Sequence, residues 1–263
     1  MALLLPAEVD LDRRFSALQR LYGTDAARCI RQAHVVVAGI GGVGSWTAEA
    51  LARSGVGQLT LIDVDHVAES NINRQVHALE STVGQAKVLA MRDRIAGIHP
   101  QCVVTCIEEF VDQDNWPGLL AGARVDAVVD ACDQVRAKVA MAVWARKHEQ
   151  VAFIAAGAAG GKRQAHLVDI ADLSACTHDP LLAQVRNRLR KEHGAPREGR
   201  RIGVACVFSR EPVQAVDASC EAPSDGSLNC HGYGSIVSVT ATFGQCAAGW
   251  VLNQIATLAT KPT

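Results

Sequence analysis

The hexapeptide Gly39-Ile40-Gly41-Gly42-Val43-Gly44 follows the apolar run His34-Val35-Val36-Val37-Ala38 and precedes Ser45-Trp46-Thr47-Ala48-Glu49-Ala50-Leu51. A chain with that order passes from a buried strand through a tight turn into a helix, the opening of a βαβ unit. The missing side chains let backbone amides approach an oxyanion, and the helix N-terminus adds partial positive charge at the same place. The loop therefore predicts a phosphate site, with Gly39, Gly41, Gly42, Val43 and Gly44 against the ligand. It specifies a nucleotide without specifying which one, because unrelated chemistries share the motif.

Strand-like and helix-like runs alternate after the loop in the manner of an α/β, Rossmann-like, doubly wound and mainly parallel sheet. Strands are predicted over Val35–Gly39, Gln58–Asp63, Val103–Ile107, Val125–Asp130 and Val151–Ala156. Helices are predicted over Arg13–Gln32, Val43–Ser54, Thr82–Gly97 and Gln134–Lys147. Beyond Gly157-Ala158-Ala159-Gly160-Gly161 the order becomes mixed, with a strand at Gln164–Ile170, a helix at Pro180–Glu192 and a strand at Ile202–Ser209. A Pro/Ser/Gly/Asp loop then runs to Asn229, about 20 residues, a length that accompanies function or disorder rather than simple connection. The expected organisation is a single domain, with a helical arm at 1–33, a nucleotide-binding core at 34–160 and an extension at 161–263.

With 49% hydrophobic but only 4% aromatic residues, the core must be largely aliphatic. A formal net charge of −1 excludes a globally basic nucleic-acid binder, so any such partner has to be met by a local patch. Nine cysteines, an odd number with no C-x-x-C pair, fit a reduced cytoplasmic compartment and argue against a structural zinc. Met1–Pro6 lacks the basic start and long apolar run of a secretion signal and reads as a frayed terminus. Ser235–Thr260 contains no charged residue but is rich in Ser, Thr, Gln, Gly and Ala. That polarity predicts a buried or dimer-interface helix, with no stable membrane insertion.

Asp63 ends the second strand at the distance where a carboxylate meets ribose hydroxyls, or it is a turn carboxylate at a strand end; Asp65 follows it. Next come Asn71-Ile72-Asn73-Arg74-Gln75 and Val83-Gly84-Gln85-Ala86-Lys87. A dinucleotide dehydrogenase has no use for these polar and cationic groups beside the same strand ends. A triphosphate has, because its outer phosphates carry more charge than one helix terminus neutralises, and departing pyrophosphate needs fixed cations. Arg74 and Lys87 are the candidate clamp, although each alone also fits a solvated surface. Asp133, in Asp130-Ala131-Cys132-Asp133, suits a magnesium ion held against phosphate oxygens, or the N-cap of the helix that follows.

The loop, the Asp63-x-Asp65 pair, Asn71-x-x-Arg74-Gln75, Gly84-x-x-Lys87 and Asp130-x-x-Asp133 together resemble the adenylating domain of the ubiquitin-activating-enzyme-like superfamily. The resemblance implies ATP-dependent activation of a carboxylate as an acyl adenylate. It places Asp63 on ribose, Asn71, Arg74 and Lys87 on the phosphates, Asp65 and Gln75 among the ATP-binding residues, and Asp133 by Mg2+. It also implies a homodimer in which an arginine of one N-terminal helix reaches the neighbour's triphosphate. Many relatives have that arginine where this chain has Ala17, which leaves Arg14 and Arg20 as substitutes beside an ordinary amphipathic helix with solvated arginines.

Within the superfamily the second half is similar to the tRNA threonylcarbamoyladenosine dehydratase branch, through Gly203-Val204-Ala205-Cys206-Val207-Phe208-Ser209, Pro223-Ser224-Asp225-Gly226-Ser227 and Val239-Thr240-Ala241-Thr242-Phe243-Gly244. That likeness implies adenylation of a threonyl carboxylate on tRNA followed by intramolecular attack of a nitrogen, without a thioester cysteine. It leaves a monovalent cation and docking to a cysteine-desulfurase sulfur-acceptor system open. The alternative is adenylation of a ubiquitin-like or sulfur-carrier protein, whose enzymes usually carry the C-x-x-C pairs this chain lacks. For tRNA, the basic run of Arg186, Arg188, Arg190, Lys191, Arg197, Arg200 and Arg201 supplies candidate phosphate contacts, or is a charged exposed helix and loop. His178 and His231 are further candidates, against the commoner structural histidine.

Overall fold

The computed structural model describes residues 9–197, 199–214 and 233–259. Seven strands form one sheet: β1 (His34–Ala38), β2 (Gln58–Ile62), β3 (Val103–Ile107), β4 (Ala127–Asp130), β5 (Ala152–Ala156), β6 (Val168–Asp172) and β7 (Ala205–Ser209). Their order is β3-β2-β1-β4-β5-β7-β6. All neighbours run parallel except β6, which lies antiparallel to β7 at the edge. The parallel strands therefore end on one common rim, and the strand order reverses between β1 and β4, where open α/β sheets bind ligands.

The helices are α1 (Leu11–Tyr22), α2 (Thr24–Gln32), α3 (Gly44–Arg53), α4 (Lys87–Ile98), α5 (Val135–Ala145), α6 (Pro180–Glu192) and α7 (Val237–Ala259). Both faces of the sheet are covered, which explains why Val35, Val36, Val37 and Ala38 form an unbroken apolar run with no exposure at all. One aliphatic core joins Val35, Val37 and Leu51 to Phe243, Val251 and Ile255 of α7; the other joins Val36, Val128 and Met141 to Leu182, Leu189 and Phe208.

Two helices replace the single one expected over Arg13–Gln32. Gly23, at φ 85°, ends α1 and lets its amide bond Gln19 before the chain restarts. The helix expected from Thr82 starts only at Lys87, because Gly84 turns at φ 87° and the preceding residues form a short 3-10 turn at Glu80–Thr82. The strand expected over Gln164–Ile170 begins at Val168 after a 3-10 turn at Ala165–Leu167. Most of the long loop expected before Asn229, including Pro223–Ser227, lies outside the described residues, as do Cys220, Cys230 and His231.

The uncharged C-terminal stretch forms α7. It buries Val239, Phe243, Ala247, Val251 and Ile255, four residues apart, against the core. Gly244 lets α7 approach α3 closely: a Cβ there would sit 2.7 Å from the Val43 carbonyl oxygen and from Trp46 Cβ. Among the described residues no helix is long and apolar enough to cross a membrane.

Candidate active site

The glycine loop sits at the switch point between β1 and β4, and its glycines serve different ends. Gly39 has φ 86°, and a Cβ there would lie 2.7 Å from the Ala131 carbonyl oxygen; on Gly44 it would lie 1.8 Å from the Gly39 carbonyl oxygen. On Gly42 it would press on Thr240 Cγ2 at 3.1 Å. These three are small because protein packs against them. Gly41 is different, since a Cβ there meets nothing nearer than Gln75 Nε2 at 4.0 Å. From Val43 the chain enters α3 without a side-chain cap.

Asp63 is placed directly under the loop. One carboxylate oxygen accepts the Ile40 N–H at 2.6 Å and the other the Asp65 N–H at 2.8 Å. Burial raises its pKa, opposed by the Lys87 charge and these two donors. Asp65 and Lys87 form an ion pair of 2.7 Å, in which the lysine is nearly buried and the aspartate largely exposed. The register is set by main chain, since Lys87 N–H donates to the Asp65 carbonyl at 2.9 Å and starts α4 there.

Asn71 is buried, and its carboxamide oxygen accepts the Ala68 N–H, fixing the crossover turn. Arg74 lies beside the loop, its Cγ 3.6 Å from a Cβ position on Gly42, and its guanidinium donates to the Ser70 carbonyl at 2.6 Å and Asn73 Oδ1 at 3.0 Å. The Arg74 carbonyl accepts from Trp46 Nε1 at 3.0 Å and from the Thr240 hydroxyl at 3.2 Å. Gln75 is buried with its Oε1 lacking a hydrogen-bond partner, next to Gly41.

Asp133 lies on the turn after β4, half-buried. The N-cap position of α5 falls on Gln134, one residue after Asp133. Asp130, fully buried in the same turn, accepts the Cys132 N–H at 3.1 Å and pairs with Lys138 Nζ at 3.1 Å, while its other oxygen has no partner among the described residues. Burial raises the Asp130 pKa against the pull of Lys138, and pushes the Cys132 thiol well above its ordinary value. Among the described residues no group of three or more His, Cys, Asp or Glu is placed to hold a metal ion.

The remaining expected residues are spread away from this rim or are partly committed. Arg14 donates to the Ile98 carbonyl at 2.5 Å; Ile98 ends α4, at the sheet edge opposite the glycine loop, and Arg20 is exposed. Arg186 is bound to the Leu173 and Cys176 carbonyls at 3.2 and 2.8 Å, and Arg190 to the Pro196 carbonyl at 3.1 Å. These two hold the chain around α6 in place. Arg188 is half-buried, and Lys191, Arg197, Arg200 and Arg201 are exposed.

Three buried groups near the site have no marker in the sequence. Lys138 and Lys162 are 0% and 2% exposed. His77, 1% exposed with neither ring nitrogen partnered among the described residues, has its pKa lowered to about 4 by burial, with Lys87 and Arg94 adding to it. Its only sequence signal is its place two residues after Gln75 on the clamp crossover.

The ThiF family pattern matches residues 13–262. The tRNA threonylcarbamoyladenosine dehydratase of Haemophilus influenzae is 38% identical over 258 residues, covering 97% of this chain and 98% of the relative. That of Escherichia coli is 40% identical over 254 residues, 92% and 93% of the two chains. The crystal structure of the E. coli enzyme in complex with ATP superimposes with a TM-score of 0.86 at 37% identity, over the whole of both chains. The chain belongs to the ThiF family.

Proposed function

We propose that this chain dehydrates threonylcarbamoyladenosine beside the anticodon of tRNA, at the expense of ATP, with the whole of 1–263 acting as one adenylating domain. The observation that carries the reading is the likeness to the H. influenzae dehydratase over 97% of the chain, because it includes the second half, where branches of the superfamily differ. Gly41 supports a nucleotide at the loop: packing does not require a glycine there, whereas close approach of a phosphate to the backbone does.

In the first step a threonyl carboxylate oxygen attacks the α phosphorus, the bond to the bridging oxygen breaks, and pyrophosphate leaves. The side chain's own nitrogen then attacks the acyl carbon, loses its proton, and AMP departs. Tethering makes this attack intramolecular, which is worth several orders of magnitude in effective molarity. Asp63 takes the ribose hydroxyls, exchanging the Ile40 N–H for them. Arg74 and Lys87, with Asn71 and Gln75 behind them, take the charge on the departing pyrophosphate, Lys87 releasing Asp65 to do so.

A magnesium ion would be held by Asp133, half-buried on the turn after β4 and within electrostatic reach of the buried Asp130. It would supply neutralising charge to the triphosphate. Arg14 or Arg20 completes the site of a second copy in a homodimer; both are exposed on α1, and Arg14 rests on the Ile98 carbonyl at the far end of α4 from Lys87. Arg188, Lys191, Arg200 and Arg201 meet tRNA phosphates, and a cysteine-desulfurase sulfur acceptor is a further partner of the same cytoplasmic reading.

The test is mass spectrometry of tRNA nucleosides after incubation with protein, ATP and magnesium. A product lighter by one water, formed only with threonylcarbamoyladenosine tRNA, is expected; turnover with a carrier-protein C-terminus and none with tRNA would refute the reading. Arg74→Ala should abolish that product while the fold persists.

A further inference from the structure

Five buried charged side chains alternate in sign beneath the rim from β4 to β7: Asp130, Lys138, Asp179, Lys162 and Glu211, none more than 6% exposed. Asp130 and Lys138 pair directly, Asp179 lies within electrostatic reach of both lysines, and Glu211 of Lys162. Such a set is costly to bury, and removing one member leaves a neighbouring charge uncompensated.

Lys162 stands at the centre of a closed ring of bonds. Its ammonium donates to the His178 carbonyl at 2.9 Å and to the Glu211 carbonyl. The Glu211 carboxylate accepts the Arg163 and Gln164 N–H groups at 2.9 and 2.8 Å. Asp179, the N-cap of α6, accepts the Ala158 N–H at 2.9 Å, and its oxygen fills the space where a Cβ on Gly157 would lie. His178, the residue whose carbonyl Lys162 holds, is a non-glycine residue at φ 55°. A conformation of that kind persists only where its surroundings enforce it.

The loop gripped by this ring, 157–164, also reaches the phosphate side. Gly161 donates to the Gly234 carbonyl at 2.9 Å and accepts the Gln214 N–H at 2.8 Å. One residue further on, the Ser235 carbonyl accepts from Asn73 Nδ2 at 2.9 Å, beside Arg74. A misplaced loop at the end of β5 thus disturbs the acceptor side of the rim, while Asp63, Arg74 and Lys87 keep their bonds to Ile40, Ser70 and Asp65.

We propose that Lys162 is a positioning residue for the reaction, holding the loop after β5 and His178 in the geometry that the tRNA side chain needs for activation and ring closure. The proposal rests on the dehydratase reading. It acts without touching the nucleotide clamp, so it separates from that reading experimentally.

The experiment compares the full-length protein with Lys162→Met, Lys162→Arg and Glu211→Gln for ATP affinity, thermal unfolding, and kcat and KM for modified tRNA per folded molecule. In Lys162→Met, ATP affinity should stay unchanged while kcat falls about 10- to 100-fold, as misplacing an oriented reactant does. Lys162→Arg, which keeps a buried cation with donors, should recover part of the loss. If Lys162→Met does not fold, Glu211→Gln carries the test with a smaller fall in kcat at unchanged ATP affinity. An undiminished kcat per folded molecule in whichever of these two folds, or ATP affinity falling in step with activity, would overturn the assignment. Wild-type protein that leaves the modified tRNA unchanged defeats the dehydratase reading instead.

Discussion

The two halves of the rim solve opposite problems. On the β1–β2 side, around the glycine loop, charged groups are held loosely enough to change partners: Asp63 on the Ile40 N–H, Lys87 on an exposed Asp65, Arg74 on the Ser70 carbonyl. On the β4–β7 side the charges are sealed in, with Asp130 and Lys138 at 0% exposure and Lys162 at 2%. A ligand can be gripped only by groups whose present partners are replaceable, while a reacting geometry can be fixed only by groups whose partners are not. The first side therefore trades contacts and the second stores rigidity.

Removing one charge from the sealed side should produce the largest effect on stability. Lys138→Met leaves Asp130 buried and uncompensated, and unfolding in denaturant should show a loss of about 3–5 kcal/mol. Adding Asp130→Asn should restore much of it, and a single variant as stable as wild type would erase the contrast between the two sides.

His77, between them in character, sharpens the contrast through pH. Its folded pKa of about 4 lies below the ordinary histidine value of 6.5, so between those values the unfolded chain binds the extra proton. Stability contributed by keeping the ring neutral is complete above pH ~6.5 and is lost as pH falls toward ~4, on the order of 3 kcal/mol in all. Denaturation midpoints of His77→Gln should show a flatter profile over that window; an identical slope would mean that the ring titrates normally.

The exchangeable side answers to substitution in ligand binding. Gly41→Ala should leave the unfolding temperature in place but weaken ATP by about tenfold, ~1.4 kcal/mol, by calorimetric titration. Gly44→Ala, whose methyl would overlap the Gly39 carbonyl, should disturb the fold itself. Equal behaviour of the two variants would show that Gly41 is not reserved for a ligand.

The smallest change concerns the basic segment. Arg188→Ala with Arg201→Ala should lower the salt dependence of tRNA binding by roughly 0.7–0.9 per arginine in the log–log slope. Arg186→Ala should instead show in stability, because that guanidinium serves the Leu173 and Cys176 carbonyls.

This division also marks where sequence reading succeeds. The glycine loop, Asp63, Arg74, Lys87 and the Asp130–Asp133 turn were legible because strand, turn and crossover follow one another locally, and local order sets which rim they occupy. Lys138 and Lys162 were not, since a lysine within a helix or loop gives no sign that Asp130 or the Glu211 carbonyl waits in another segment. The break at Gly23 escaped because amphipathic spacing continues across it, and a single glycine at φ 85° decides the matter. The antiparallel β6 escaped because its pairing partner is chosen by the sheet edge rather than by its own residues. The bond from Arg190 Nε to the Pro196 carbonyl is likewise set by the fold rather than by the charge pattern of the segment.

The carbonyl of Arg74, shared by an indole of α3 and a hydroxyl of α7, fastens the crossover through main chain rather than through the guanidinium. These two bonds need no particular side chain at 74, although the guanidinium adds its own to the Ser70 carbonyl and Asn73 Oδ1. Substitution there can change the cation beside the glycine loop while the main-chain bonds to the two helices persist, so side chain and architecture can diverge at a single residue.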